Sequence, residues 1–240
     1  MTYCVGLLLD AGLVMLADTR TNAGVDNIAV YRKMFAFETP GERAMVMMTS
    51  GNLSVTQTVL AKLQHDIDDP EATHETSILK AETMLDVAEI VGKKLNEISH
   101  EIGGQMASSR SSANALILLG GQRRGGQPRL FLIYPEGNFI EATEDTPYLQ
   151  IGEHKYGKPI LDRVITRKTS LEEGRTAVLL SMDSTLRSNL SVGMPLDLAV
   201  IEADTYRISH RERIEPGDPD FSKMSEAWSR TLREGFAAMP

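Results

Sequence analysis

Apolar residues open the chain in two short runs, 2–10 (TYCVGLLLD) and 13–18 (LVMLAD), with Ala11-Gly12 between them. Strand-forming runs flanking a Gly-bearing turn predict a tight hairpin. Further runs at 33–38 (KMFAFE) and 44–49 (AMVMMT) extend the pattern to four antiparallel strands before any helix. Ser50-Gly51-Asn52 breaks it. Leu53, Thr56, Leu60, Leu63 and Ile67 then recur at helical spacing, ending before Pro70. After a polar loop at 70–78, the stripe Met84, Val87, Ala88, Val91, Leu95, Ile98 and Ile102 predicts a second helix, stopped by Gly103-Gly104.

Strands resume at 113–119, 129–134 and about 138–142, with Pro135-Glu136-Gly137-Asn138 as a hairpin turn. Helices are predicted at 154–168 and 171–187, the second opening on Ser170-Leu171-Glu172-Glu173 with capping-box spacing. Strands at 196–203 and 206–212 follow. Asp218-Pro219 then starts an extended C-terminal helix of about 218–238, with Phe221, Met224, Trp228 and Leu232 along one side as a core face. Antiparallel hairpins with paired helices between them predict an α+β fold, a four-layer α/β/β/α sandwich of two antiparallel sheets. Single helices and strands do not alternate as they would in a parallel doubly wound fold. With no internal repeat and no linker, residues 1–240 read as one domain.

Composition narrows the functional classes. The formal net charge of −8 argues against a nucleic-acid binder, because phosphate backbones demand clustered Lys and Arg. The short basic pair Arg123-Arg124 lies among glycines and reads as a hairpin tip. No apolar run approaches the roughly 18 residues of a membrane span. Asp10 cuts the first apolar run short and no basic region precedes it, unlike a signal peptide. A single cysteine, Cys4, excludes an intrachain disulfide, and a bacterial cytoplasmic protein is the expectation. His65, His74, His100, His154 and His210 show no metal-ligand spacing, so neither a metal nor another cofactor is expected. His154 either lines a cleft beside Glu153 or caps the helix that follows.

Four places carry candidate chemistry: Thr2 behind Met1, Asp18 ending the second strand, Lys33 opening the third, and Ser50-Gly51 before a helix. Taken singly, Asp18 and Lys33 fit a surface ion pair, and Ser50-Gly51 fits a plain strand-to-helix turn. Taken together they supply the parts for attack on an amide. A threonine hydroxyl needs a base within hydrogen-bond reach. An α-amino group, with an ordinary pKa of about 8, is tethered to the same Cα and is partly neutral at cellular pH. It serves only once Met1 is gone, which ordinary methionine removal achieves ahead of a small residue. A lysine cation near that amine lowers its pKa. A backbone N–H at a helix N-terminus can receive an oxyanion. Cys4 is a rival nucleophile, but in an apolar strand it reads as buried.

The order and spacing of these residues resemble the proteasome β-subunit and heat-shock-locus V peptidase superfamily. There an N-terminal threonine precedes an Ala-Asp-x-Arg motif, a lysine and a Ser-Gly turn. The nearer resemblance is to the bacterial Anbu, or ancestral β-subunit, family. It rests on Thr2-Tyr3-Cys4-Val5-Gly6 and on Leu16-Ala17-Asp18-Thr19-Arg20-Thr21-Asn22-Ala23-Gly24, with an opening that lacks a propeptide and an extended C-terminal helix. The resemblance implies an N-terminal-nucleophile hydrolase fold and a threonine-type peptidase. Its implied catalytic residues are Thr2, Asp18 and Lys33, with Gly51 as oxyanion hole and Arg20 and Ser50 in support. Lys33→Ala is then expected to abolish turnover with little loss of fold.

Two stretches depart from the superfamily pattern. Where a Gly-Ser-Gly segment is usual, the chain reads Ile151-Gly152-Glu153-His154, so Glu153 replaces the serine. Where Asp-x-x-Ser-Gly is usual, the run from Arg187 to Gly193 keeps Ser191 but puts Ser188 in place of the aspartate, with Asp183 nearby in sequence. The resemblance also implies self-assembly into a ring or helical homo-oligomer acting on a peptide or amide. An ATP-dependent unfoldase partner is left open, since the chain carries no nucleotide motif. The alternatives are an amide hydrolase or acyl transferase on a small non-protein substrate, and an oligomeric scaffold whose site has decayed.

Overall fold

The computed structural model describes residues 1–22, 28–105 and 113–240. The opening hairpin forms as β1 (Tyr3–Leu9) and β2 (Gly12–Asp18). A short hairpin not expected from the sequence, β3 (Arg20–Asn22) with β4 (Ile28–Val30), follows, and the chain then enters β5 (Met34–Thr39) and β6 (Arg43–Gly51). Ala23 and Gly24 of the opening motif lie outside the described residues. Two helices come next, α1 (Leu53–Asp68) and α2 (Met84–Gln105), then β7 (Ala115–Arg123), β8 (Arg129–Ile133), β9 (Phe139–Glu141) and β10 (Tyr148–Gly152). The chain finishes with α3 (Lys158–Val164), α4 (Leu171–Ser188), β11 (Leu196–Glu202), β12 (His210–Ile214) and α5 (Pro219–Ala237).

The strands form two five-stranded antiparallel sheets, ordered β10-β1-β2-β11-β12 and β5-β6-β7-β8-β9. Side chains alternate faces along a strand, and both faces of the central strands are apolar. In β1, Val5, Leu7 and Leu9 meet the α3/α4 layer while Cys4 and Leu8 meet the opposite sheet. In β6, Met45 and Met47 face α1 and α2 while Val46 and Met48 face the first sheet. Near-continuous hydrophobic runs are what strands covered on both faces require. The layers are therefore helix, sheet, sheet, helix, the expected α/β/β/α sandwich.

Several element boundaries differ from the sequence reading, each for a local reason. Helix α2 runs through Gly103 and Gly104 to Gln105 rather than stopping there. The face of α1 that is buried carries Val55, Thr56, Val59 and Leu63, so the helix is rotated from the stripe expected through Leu53 and Leu60. Helix α3 is shorter than expected because the N-cap falls at Gly157 before Pro159 and the chain turns extended at Ile165; β10, which ends at Gly152 ahead of it, was not expected from the sequence. Strand β12 starts late because Asp204 and Tyr206 turn the chain with φ of 64° and 53°. The Ser170–Glu173 capping box and the Asp218 cap form as expected. Only the first part of the α5 stripe is core: Phe221 and Met224, partly buried, pack against the cluster formed by the first sheet and the α3/α4 layer, whereas Leu232 and Phe236 are 53% and 83% exposed.

Candidate active site

The opening hairpin brings Thr2 to the end of β1 opposite the end of β2, since Cys4 pairs with Ala17. Asp18 is fully buried there and acts as the junction of the site. Its Oδ1 accepts from the Tyr3 N–H at 3.0 Å and from Lys33 Nζ at 2.6 Å, and its Oδ2 accepts from the Gly193 N–H at 3.1 Å. Burial pushes the Asp18 carboxyl above its usual range, and Lys33 and the two N–H donors oppose that rise.

Lys33 stands just before β5 and is 5% exposed. An ammonium has three donors, and all three have partners here: Asp18, the Arg20 carbonyl at 2.6 Å and the Met1 carbonyl at 3.3 Å. The Met1 carbonyl belongs to the peptide bond whose nitrogen is that of Thr2, so the cation stands one peptide group from that nitrogen. The Met1 amine itself has a pKa below its ordinary value, first because of burial and then because of the Lys33 charge, with Asp18 and Glu153 opposing.

Strand β10 closes the other side. The Glu153 N–H donates to the Thr2 carbonyl at 2.7 Å, and Gly152 makes that approach feasible. Its φ is +82°, and a methyl group on it would lie 1.9 Å from the Thr2 carbonyl oxygen. Gly51 ends β6 with φ +96°, where a methyl group would meet the Asn114 carbonyl at 2.4 Å. Asn52 caps α1, its side chain accepting from the Ser54 and Val55 N–H groups, and no acidic residue stands in the first turn to offset the positive end of the helix dipole. These elements surround a cleft of about 390 Å³ lined by Thr2, Lys33, Ser50, Gly51, Gly152 and Glu153.

The structure thus brings Thr2, Asp18, Lys33, Ser50, Gly51 and Glu153 together. Arg20 joins through its carbonyl and holds the neighbouring loop by donating from Nη1 to the Leu190 carbonyl at 2.8 Å. Ser188 and Ser191 do not line the cleft. Ser188 is exposed at the last turn of α4, and the Ser191 N–H is tied to Asn189 Oδ1. Asp183 is bound to Arg187 and Ser225 on the α4–α5 side, so it does not stand in for the missing aspartate. Loop 189–193 reaches the site by backbone instead, through Gly193. His154 folds back on the Gly152 carbonyl and neither lines the cleft nor caps α3. Cys4 is fully buried, and burial pushes its thiol pKa up. Sequence reasoning missed Thr21, Thr49, Thr56 and Leu116 as cleft walls. Thr56 had a usable signal, a lone hydroxyl within an apolar helical stripe; Thr49 had none. Among the described residues no three His, Cys, Asp or Glu side chains are grouped to hold a metal, and no helix is long and apolar enough to cross a membrane.

Two sandwiched antiparallel sheets, with a chain start beside a buried lysine–aspartate pair and a glycine turn, define the proteasome-type N-terminal-nucleophile fold. The model of the Proteasome family, proteasome subunit, matches residues 2–201. Anbu (ancestral β-subunit) from Yersinia bercovieri is 44% identical with a TM-score of 0.92, over 99% of this chain and 98% of that one. A Gly-1 mutant of Anbu from Hyphomicrobium sp. strain MC1 is 48% identical with a TM-score of 0.93, over 100% and 98%. A structure of Anbu from Pseudomonas aeruginosa, described as a helical assembly of the complex, is 44% identical with a TM-score of 0.93, over 99% and 97%. No curated protein matches. The chain belongs to the proteasome family, within its Anbu branch.

Proposed function

We propose that this protein is a threonine-type amidohydrolase, a proteasome-like peptidase whose nucleophile is the Thr2 hydroxyl once Met1 has been removed. The observation that carries the reading is the position of Lys33 Nζ, 2.6 Å from Asp18 and 3.3 Å from the carbonyl of the Met1–Thr2 peptide. While that peptide bond is intact, the Thr2 nitrogen is an amide and cannot act as a base. Met1 is 56% exposed, so an aminopeptidase can reach it.

After removal, the free Thr2 amine takes the proton of Oγ1, directly or through one water, as Oγ1 attacks the substrate carbonyl carbon. Lys33, kept charged by Asp18, holds the amine pKa down and stabilises the developing negative charge. The oxyanion is received by the Gly51 N–H at the mouth of α1. Collapse breaks the C–N bond, and the leaving amine takes the proton from the Thr2 ammonium. The resulting ester is hydrolysed by water, with the same amine acting as base and then returning the proton to Oγ1.

The replacement at Glu153, on the cleft wall, favours an activity of narrow scope, which includes small non-protein amides. Self-assembly of like subunits is also proposed. It is supported by the helical assembly of the Pseudomonas aeruginosa relative and by the apolar surface that α5 leaves exposed at Leu232 and Phe236. We place the enzyme in the bacterial cytoplasm, where a lone unpaired cysteine is ordinary. The test combines intact mass with labelling by a threonine-directed epoxyketone or β-lactone. Loss of Met1, one probe per chain, no labelling of Thr2→Ala and normal labelling of Cys4→Ala are expected. Labelling that persists in Thr2→Ala shows the nucleophile to be another residue. Processed protein that neither labels nor cleaves any amide in a mixed library is a scaffold.

A further inference from the structure

The charges around the cleft do not balance in the state that the proposed reaction needs. Among the described residues, two charged side chains line it, Lys33 and Glu153. The Lys33 charge is compensated by Asp18 at 2.6 Å. The Glu153 carboxylate, half-buried on the cleft wall, makes no hydrogen bond or ion pair among the described residues; only its backbone N–H is engaged, by Thr2. Among the described residues, the remaining positive group acting on it is the amine at the chain start. In the processed chain that amine is the Thr2 amine, which must be neutral to take the hydroxyl proton. In the working state Glu153 is therefore left as one uncompensated negative charge, on a wall otherwise built from Thr21, Thr49, Thr56 and the side chains of Leu53 and Leu116.

We propose that Glu153 is a specificity-determining residue that selects amide substrates bearing an ammonium or guanidinium on the residue next to the scissile bond. The inference rests on the reading of the cleft as the substrate site and names the substrate class for it. Hydroxyl-bearing and methyl-bearing walls suit the aliphatic stem of a lysyl or arginyl side chain, whose head then reaches the carboxylate. A partly desolvated charge pair across a few ångströms is expected to give roughly tenfold discrimination over an uncharged isostere. The half-exposed position keeps that factor from being larger.

The test separates binding from turnover. Calorimetry on processed Thr2→Ala protein compares a lysyl peptide amide with its norleucyl isostere, which matches the stem but lacks the charge. The lysyl ligand is expected to bind roughly tenfold more tightly at low salt, with the difference shrinking at about 0.5 M NaCl. Glu153→Gln should abolish the difference while keeping the backbone bond to Thr2, and Glu153→Asp should retain part of it. Equal affinities, no measurable lysyl binding, or a preference that survives Glu153→Gln would overturn the proposal. Lysyl preference in Thr2→Ala with no turnover by the Thr2 protein would leave the selectivity standing and defeat the hydrolase reading. Turnover with no charge preference would do the reverse.

Discussion

Replacing Gly152 by alanine tests whether the chain start is held where the proposed chemistry needs it. The new methyl group would lie 1.9 Å from the Thr2 carbonyl oxygen, and contacts of this kind do not fall below 3.0 Å, so β10 and the start of β1 must part by about 1.1 Å. Both atoms involved are close to backbone, so no flexible side chain can absorb the shift. Two costs to stability follow. A non-glycine residue at φ +82° costs roughly 1–2 kcal/mol, and weakening the Glu153 N–H to Thr2 carbonyl bond costs about 1 kcal/mol. A displacement of about 1 Å at a reacting group costs on the order of 100-fold in rate. Gly125 provides the control, because it has φ +80° but open space around its Cα. Gly125→Ala should show the conformational cost alone, in urea unfolding, and label with an epoxyketone at the unmodified rate. Gly152→Ala should lose about 1 kcal/mol more and label roughly 100-fold more slowly. If the two variants unfold alike, or if Gly152→Ala labels normally, the chain start is not positioned by β10.

Three further outcomes are expected. Lys33→Ala should abolish labelling, but the sequence expectation of little loss of fold is corrected by the burial of both partners: the change should destabilise the fold by about 3 kcal/mol, because Asp18 is left as an unpaired buried charge; Lys33→Met with Asp18→Asn should restore the melting temperature but not the labelling. The pH profile of labelling should have its acid limb below pH 8: the neutral amine is the working form, so activity is present above its folded pKa and is lost as pH falls through it, and in the unprocessed chain burial and Lys33 lower the pKa of the Met1 amine at the same chain start. Thr2, being more buried than Met1, should feel both effects after processing, and an acid limb at or above pH 8 would refute the assignment. Finally, Leu232→Asp with Phe236→Asp should shift the assembly to smaller species in analytical ultracentrifugation without changing the far-ultraviolet spectrum, since both side chains lie on the exposed end of α5; unchanged size would exclude this face from the contacts between subunits.

Much of the layer order was legible because the strands here are apolar on both faces and the helices carry clear stripes. The hairpin β3–β4 was not, since Arg20-Thr21-Asn22 is polar and lacks the alternation that marks a half-buried strand. Strand β10 was hidden by its length and by the polar run before it, although Ile151-Gly152-Glu153 had been singled out for chemistry rather than for structure. In α1 the residues Leu53 and Leu60 satisfied the helical period but point toward the cleft and the β5 edge, while Val55 and Val59 take the core. A period identifies a helix better than it identifies which side faces inward. At the site, Asp18, Lys33 and Gly51 were singled out mainly by the family resemblance, since taken singly they fit a surface ion pair and a plain turn; the structure buries the ion pair and sets Lys33 and Gly51 on one cleft. Ser188 was misleading: sequence alignment put it at an aspartate's place, while the turn ending α4 puts it in water.

The Lys33–Asp18 pair is hard to justify by stability. Removing two charges from water costs several kcal/mol per ion, and replacing such a pair by apolar groups of similar size is often neutral or stabilising. Here the surrounding strands would accept that replacement, because Ala17, Met34 and Met48 already form an apolar layer beside it. Yet the pair is held by two backbone N–H donors to Asp18 and two carbonyl acceptors around Lys33. The two glycines with positive φ at Gly51 and Gly152 border the same cleft. Positive φ also occurs away from the cleft, at Gly12, Gly41, Gly125, Gly137 and Gly217 and at Asp204 and Tyr206, so the backbone conformation alone does not mark the site. What sets this point apart is the buried ion pair beside the first peptide bond of the chain, an arrangement that stability alone does not require.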